Sequence, residues 1–461
     1  MIRIFKHYIP KSLLLLSSSE LAVSAISLYA GMFIRFGQLN VEDDIGPIWT
    51  RALVFALVVF SSFTAMGLYQ RHLRDGLRGM FFRLAVAFGV AFVIMSILFY
   101  IFPDLLLGRG VFGWAFGVAV AGIVLARLLF IKLVHRESWQ KHILILGAGE
   151  KANLIERRLK RKTDRRGFNI LGYVVVDGEP QEVKEHLVIR PDMSLLEYCR
   201  QRDVDELVVA ITDRRKQFPV DELLDCKLSG IEVVDLQTFF ERQAGRVLLD
   251  ILNPSWLIFS DGFSQGNMRA IVKRSFDILA SICLLIPVSP IMLAAALLVK
   301  LGDGGPVFYK QVRVGQNWKL FQVAKFRSMR TDAEKNGAQF AAKDDDRVTK
   351  IGKFMRKTRI DELPQLFNVL RGDMSFVGPR PERPQFVEQF SQSIPHYSER
   401  HRVKPGVTGW AQICYPYGSD EKDTIEKLQF DLYYVKNYSL FLDLTVLFQT
   451  AEVILWGKGA R

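Results

Sequence analysis

Four apolar stretches, at about 13–36, 51–68, 84–102 and 111–134, fill the first 138 residues of the chain. Each approaches or reaches the ~20 residues that a helix needs to cross a bilayer. Hydrocarbon offers no hydrogen-bond partners, so backbone inside it must satisfy itself, and helices do that best. Residues 1–138 are therefore expected to form four transmembrane helices. The first stretch lacks a small-residue cleavage site and other spans follow it, so a removable signal peptide is not expected.

Charge gives these spans a direction. Arg3, Lys6 and Lys11 precede the first, Arg71, Arg74, Arg78 and Arg83 lie in or beside the second connection, and Lys132, Arg136 and Lys141 follow the fourth. The first connection carries Glu42, Asp43 and Asp44, and the third only Arg109. The positive-inside bias then puts the N-terminus and everything after residue 140 in the cytoplasm. The net charge of +13 suits lipid headgroups or phosphorylated substrates. No nucleic-acid motif occurs, and none is expected as a partner. Cys199, Cys226, Cys283 and Cys414 lack metal or redox spacing and read as reduced side chains.

Residues 139–262 alternate strand-like and helix-like segments, which predicts a Rossmann-like α/β module with a parallel sheet. Strands are expected near 142–147, 171–176, 206–211 and 232–236, with helices at 153–162, 194–202 and 220–229. The first strand runs into Gly147-x-Gly149-x-x-Ala152, a shortened dinucleotide fingerprint, and Asp177 follows the second strand where an acid can hold a ribose. The alternative is a regulatory or dimerising module with a vestigial loop. No Tyr-x-x-x-Lys occurs in this section, so the usual acid/base pair of a short-chain dehydrogenase or sugar epimerase is missing.

A further apolar segment, 273–301, contains Pro287 and Pro290 near its middle. Proline removes a helix hydrogen bond and crowds the preceding turn. A break is therefore expected at Ser289-Pro290, where the serine can bond a freed carbonyl. Basic residues flank both ends (Lys273 and Arg274; Lys300, Lys310 and Arg313). A span would export one of these flanks, so the reading is a re-entrant helix hairpin that returns to the cytoplasmic face. The alternative is a kinked fifth span.

Beyond it, Asp361 and Glu362 sit in Thr358-Arg-Ile-Asp-Glu-Leu-Pro-Gln365, close to strongly basic sequence and to Gly378-Pro-Arg-Pro381. Adjacent carboxylates among cations suit phosphate chemistry: one can attack phosphorus while the other holds a divalent cation. In 347–357 basic residues recur every three positions opposite Ile351, Phe354 and Met355, which predicts a helix that lies on a bilayer or packs by its apolar side. Asp344-Asp345-Asp346 reads as a solvated loop, His396 and His401 as surface or packing residues, and the apolar helix 440–455 as interfacial or core-packed.

In residues 269–461 the ordered pieces are Lys273-Arg-x-Phe-Asp277, Ser289-Pro290, Gly305-Pro-Val-Phe-Tyr-Lys-Gln311, Lys325-Phe-Arg-Ser-Met329, Asp361-Glu-Leu-Pro-Gln365, Gly372-Asp-Met-Ser-Phe-Val-Gly-Pro-Arg-Pro381, Lys404-Pro-Gly-Val-Thr-Gly-Trp410 and Asp431-Leu-Tyr-Tyr-Val435. With these the region resembles the catalytic core of the polyprenyl-phosphate sugar-1-phosphate transferases, the monotopic phosphoglycosyl transferases or bacterial sugar transferases. The preceding spans and Rossmann-like module resemble the large subclass of that family, and among these the exosortase-associated exopolysaccharide priming enzymes.

The resemblance implies a bacterial inner-membrane enzyme with its active site on the cytoplasmic face. Asp361 would attack the phosphorus next to the sugar of a UDP-sugar and expel UMP, and undecaprenyl phosphate would then take the phosphosugar. Mg²⁺ would be held at Glu362 and Asp361. Arg356 matches a phosphate-binding arginine of the family, and Arg380 is a second anion-binding candidate, since prolines fix its loop and Arg grips phosphate through two hydrogen bonds. Lys325 and Arg327 are further candidates, and Asp431 matches an acidic position that can support the site or pack its helix. The large subclass suggests a homodimer among membrane lipids, with other polysaccharide-assembly proteins as partners. Glucose, galactose and N-acetylhexosamines stay open as the sugar. A nucleotide-sugar oxidoreductase or epimerase, and a non-catalytic assembly scaffold, are the competing functions.

Overall fold

Four long helices follow one another at the N-terminal end: α1 (Lys11–Phe36), α2 (Ile48–Ala65), α3 (Gly76–Ile101) and α4 (Arg109–Val134). All four carry windows long and apolar enough to cross a membrane, and so does a fifth helix at Asn267–Asp303. The computed structural model describes every residue except 1, 5–6, 10, 38–47, 70–75, 135–139, 160–164, 166, 213–217, 253–255, 257–262, 264–265, 332, 334–345, 416–419 and 456–461. The flanking charges at 42–44, 71, 74 and 136, and Asp344 and Asp345, thus lie outside the described residues. Contacts divide the chain into two units, one built chiefly from residues 9–244 and the other chiefly from residues 245–461.

In the first unit α1 and α4 pack backbone against backbone. A Cβ on Gly31 would lie 2.6 Å from Ala115 N, and one on Gly122 would lie 2.7 Å from Val23. Small residues permit this approach, which gains dispersion where apolar burial gains nothing. The same helix pair holds a buried ion pair: Arg127 Nε lies 2.6 Å from Glu20 Oε1, and its Nη2 donates to Oε2 at 3.0 Å. Tyr69 Oη donates to the same carboxylate at 2.6 Å.

The rest of this unit is a five-stranded parallel sheet built from β1 (Lys141–Leu146), β2 (Phe168–Val174), β3 (Val188–Ile189), β4 (Glu206–Val209) and β5 (Glu232–Asp235). Strand order is β3-β2-β1-β4-β5, the outward winding from a central first strand that makes a half-Rossmann sheet. Helices α5 (Glu150–Arg158), α6 (Leu195–Gln201), α7 (Val220–Leu228) and α8 (Leu236–Ala244) connect and follow the strands. Ser194 opens α6 with a capping box to Glu197. The parallel sheet matches the expected α/β pattern; the two-residue edge strand β3 was not among the expected strands.

The second unit begins with the long helix α9 (Asn267–Asp303). The helix–break–helix expected at Ser289-Pro290 is replaced by one helix that continues through Pro287 and Pro290. Its chemistry explains the tolerance. Pro290 cannot donate to the Ile286 carbonyl, and Ser289 Oγ donates to that oxygen at 2.8 Å. Near its start, Lys273 bonds Asp443 and the Val377 carbonyl, Arg274 donates to the Val369 and Leu370 carbonyls at 2.6 Å, and Asp277 accepts from Ser375 Oγ and Phe376 N–H. Three residues of one motif thus tie the helix to three different stretches of chain.

The hairpin of β6 (Phe308–Val314) and β7 (Leu320–Phe326) follows, then α10 (Lys350–Thr358), a short 3₁₀ turn Ile360–Glu362, and α11 (Gln365–Arg371). Ile351 and Met355 of α10 pack against α9 and β7, while Phe354 is exposed, so its apolar side is divided between core and surface. Strand β8 (Ser375–Val377) pairs in parallel with β9 (Gly406–Thr408). Helices α12 (Pro384–Ser393), α13 (Trp410–Cys414), α14 (Glu421–Asn437) and α15 (Leu440–Leu455) complete the unit. Residues 428–437 of α14 are all buried, which makes it the central rod of the core, and α15 adds Leu442 and Val446 to it. The expected core-packing of 440–455 therefore holds for that face, with Asp443 inside it paired to Lys273.

Both readings can be tested by unfolding. Arg127→Ala leaves Glu20 buried without its cation and is expected to cost about 3–5 kcal/mol in detergent, whereas the apolar double replacement Glu20→Leu/Arg127→Met costs less. His401, buried between Trp318 and Tyr397, is pushed down to about 3 by burial and by Arg400, with a Gly315 backbone contact opposing. The unfolded chain therefore binds a proton that the folded one refuses, and stability falls as pH drops from about 6.5 toward 3. Urea titrations at pH 7 and pH 5 should show that fall, and His401→Gln should flatten it.

Candidate active site

The adjacent carboxylates are presented by a turn. α10 ends at Arg359, whose φ of +59° reverses the chain, and the 3₁₀ turn then points Asp361 inward. Asp361 is 7% exposed, and its buried Oδ1 makes no hydrogen bond among the described residues. Burial raises its pKa above the ordinary aspartate value; Lys325 opposes this, neighbouring Glu362 adds to it, and Arg356 and Arg359 oppose it. The result is a poorly solvated oxygen with a free lone pair.

Glu362 differs although it is the next residue. Lys325 Nζ from β7 lies 3.0 Å from Oε1, Arg380 Nη2 lies 3.7 Å from the same oxygen, and Arg359 Nη1 lies 3.6 Å from Oε2. Burial alone would raise this carboxyl, but Lys325, Arg380 and Arg359 outweigh it and hold the pKa at about 2. Two adjacent carboxylates are thus driven in opposite directions by their surroundings. Such divergence is the pattern that paired carboxylates show where they serve separate tasks.

Of the residues nominated from sequence, Asp361, Glu362, Lys325 and Arg380 meet here. Arg356 donates from Nε to Ser328 Oγ at 2.9 Å and acts on Asp361 through its charge. Arg327 is buried, its guanidinium filling the space that a Cβ on Gly305 would need. Arg359 was missed; its only signal is the basic residue three positions before Glu362, a spacing that lets side chains meet on one helical face.

Asp431 takes a supporting role. Arg400 Nη2 lies 2.8 Å from Asp431 Oδ2 and also donates to the Arg380 carbonyl at 2.9 Å, while Nη1 bonds Tyr397 Oη at 2.8 Å. Arg313 donates to the next carbonyl along the chain, Pro381 O, at 3.0 Å. Two arginines therefore grip consecutive carbonyls and fix the backbone from which Arg380 reaches Glu362. Sequence reading missed both of these, since nothing in spacing shows that side chains so distant converge on a loop.

The other nominated residues lie in the first unit. Gly147 ends β1 with a φ of +115° that favours glycine, Gly149 caps α5, and Asp177 is exposed beyond the end of β2.

Comparison with known proteins fits this geometry. The family model for bacterial sugar transferases matches residues 268–457, and that for a CoA-binding domain matches residues 64–217. The UDP-glucose:undecaprenyl-phosphate glucose-1-phosphate transferase of Klebsiella pneumoniae is 35% identical over 340 residues, 72% of each chain. The chain belongs to this sugar transferase family. The undecaprenyl-phosphate galactose phosphotransferase of Salmonella typhimurium is 33% identical over 382 residues, 76% of this chain and 75% of that one. The UDP-N-acetylgalactosamine-undecaprenyl-phosphate N-acetylgalactosaminephosphotransferase of Aeromonas hydrophila is 43% identical over 280 residues, and the alignment spans 60% of this transferase and 64% of that protein's length.

The support of Arg380 is testable in this transferase. Arg400→Met removes the donor to its carbonyl and leaves Asp431 unpaired, and should lower kcat/KM by about tenfold or more, the equivalent of one charged hydrogen bond. Arg400→Lys should recover little, because one ammonium cannot span both acceptors as the fork does. Steady-state kinetics beside a thermal melt separates this loss from unfolding.

Proposed function

We propose that this transferase moves a hexose-1-phosphate from a UDP-sugar to undecaprenyl phosphate through a covalent phosphosugar on Asp361, releasing UMP and priming an exopolysaccharide. The observation that carries the reading is the orphaned Oδ1 of Asp361 beside a carboxylate ringed by three cations. An acceptor without a donor, buried next to a strongly cationic cluster, suits an oxygen that attacks an anionic phosphorus. In the first step an Asp361–phosphorus bond forms and the bond from that phosphorus to the UMP oxygen breaks. In the second an oxygen of undecaprenyl phosphate attacks, and the Asp361–phosphorus bond breaks to give undecaprenyl diphospho-sugar. Lys325, Arg359 and Arg380 would hold the diphosphate, and Arg356 would steady the charge near Asp361.

The residues also fit Mg²⁺. Asp361 and Glu362 are adjacent oxygen donors, one of them unpartnered, and magnesium commonly uses one or two carboxylates completed by substrate phosphates. When bound it would neutralise the diphosphate oxygens.

The same reading makes α9 a membrane-embedded element that bends at Pro287 and Pro290, so that it enters and leaves on the cytoplasmic face. Its support is that both flanks pack within the same unit. Lys273 and Asp277 bind β8 and α15, while Met292, Ala295 and Val299 pack with Phe326 and Met355. The faces between them expose Leu279, Ile282, Ile286, Leu293 and Leu297. A straight span would carry its ends ~30 Å apart to opposite sides of a bilayer.

The test is transfer of labelled sugar-phosphate from UDP-N-acetylgalactosamine, UDP-glucose and UDP-galactose to undecaprenyl phosphate with Mg²⁺. Wild type should give a lipid-linked product and UMP with at least one donor, and Asp361→Asn should lose at least about a thousandfold in rate. Equal product from both proteins removes Asp361 as nucleophile. NAD(P)H oxidation with a sugar nucleotide would point to the oxidoreductase, and folded protein inert with every donor to the scaffold.

A further inference from the structure

The Gly147-Ala148-Gly149 turn has the form of a phosphate cradle, and the CoA-binding family model spans it. Such a cradle works by offering free backbone N–H groups to a phosphate at a helix N-terminus. Here two N–H groups of the turn are already engaged, Gly147 by the Val174 carbonyl and Ala148 by a side chain of the same chain. Glu179, from the segment after β2, turns its carboxylate inward: Oε1 accepts from Thr212 N–H at 2.8 Å and Oε2 from Ala148 N–H at 3.3 Å. Glu182 and Val183 then donate their N–H groups to the Ala148 carbonyl at 2.9 and 3.1 Å, strapping the segment onto the turn.

Space is used up as well. A Cβ on Gly149 would lie 2.7 Å from Glu179 Oε1 and 2.8 Å from its Cδ, so the room left by this glycine is filled by a carboxylate of the same chain. Gly147 is accounted for by its φ of +115° and by the Ala210 backbone, 3.0 Å from its missing Cβ. Both glycines of the fingerprint are therefore explained without a ligand. Glu150 in the first turn of α5 adds a second negative charge where a phosphate would approach. The residues do not fit the phosphates of CoA or of a dinucleotide.

We propose that Glu179 is a built-in anion that fills this cradle, so that the module takes neither CoA nor a dinucleotide while Glu179 is in place. A carboxylate supplies locally the negative charge that the turn would otherwise draw from a ligand. The module then works as a closed structural unit, and a free anion competes for the turn only when the carboxylate is removed.

The full chain in detergent tests this, with CoA and inorganic phosphate as probes. Calorimetric titration of wild type with CoA to about 1 mM should show no saturable binding. Glu179→Ala should lower Tm by roughly 2–4 °C, and phosphate should raise the Tm of this variant more than that of wild type. Glu179→Asp, whose carboxylate is one methylene shorter, should fold if the alanine variant does not, and should show the same excess response in smaller measure. Stoichiometric CoA binding by wild type overturns the proposal. So does a phosphate response equal in all three proteins.

Discussion

Glu362 is where the catalytic unit is drawn together. Its three cations come from β7, from the turn behind α10 and from the loop after β8, stretches separated by up to 55 residues between Lys325 and Arg380. A largely buried carboxylate without them would be costly, and three half-buried cations crowded together without it would repel one another. The charges therefore hold one another in place, and Asp361 Oδ1 is left without a hydrogen bond among the described residues. On the proposed mechanism it is the geometry of the neighbour that would prepare the aspartate to attack.

The same economy runs through the supports. Arg274 caps α11 at the Val369 and Leu370 carbonyls, Arg313 and Arg400 hold the Arg380 loop, and Lys273 joins α9 to α15. Each long cationic side chain reaches a carbonyl or carboxylate on another element. A basic composition thus fastens the backbone around the site, beside the anion binding that the proposed mechanism asks of it.

Much of this could be read from sequence, for identifiable reasons. The apolar stretches announce themselves because bilayer thickness sets helix length, and the alternating middle section announces a parallel sheet. Asp361 and Glu362 stood out because carboxylates among cations are unusual in so many ordered motifs. Arg359, Arg400 and Glu179 did not, because each acts by convergence in space and carries no spacing of its own. The continuous helix through Pro287 and Pro290 escaped for another reason. A proline's local cost is legible, but the packing of both flanks of α9 within one unit is not, and Ser289 removes part of that cost.

That last contact constrains how the helix can change. On the proposed membrane placement the Ile286 carbonyl would have no water to fall back on, so Ser289 and Pro290 form a matched pair. Replacing the proline first restores a backbone donor and leaves the hydroxyl dispensable. Replacing the serine first strands the carbonyl. Substitution at these two positions therefore has a preferred order, and the serine is free to drift only after the proline has gone.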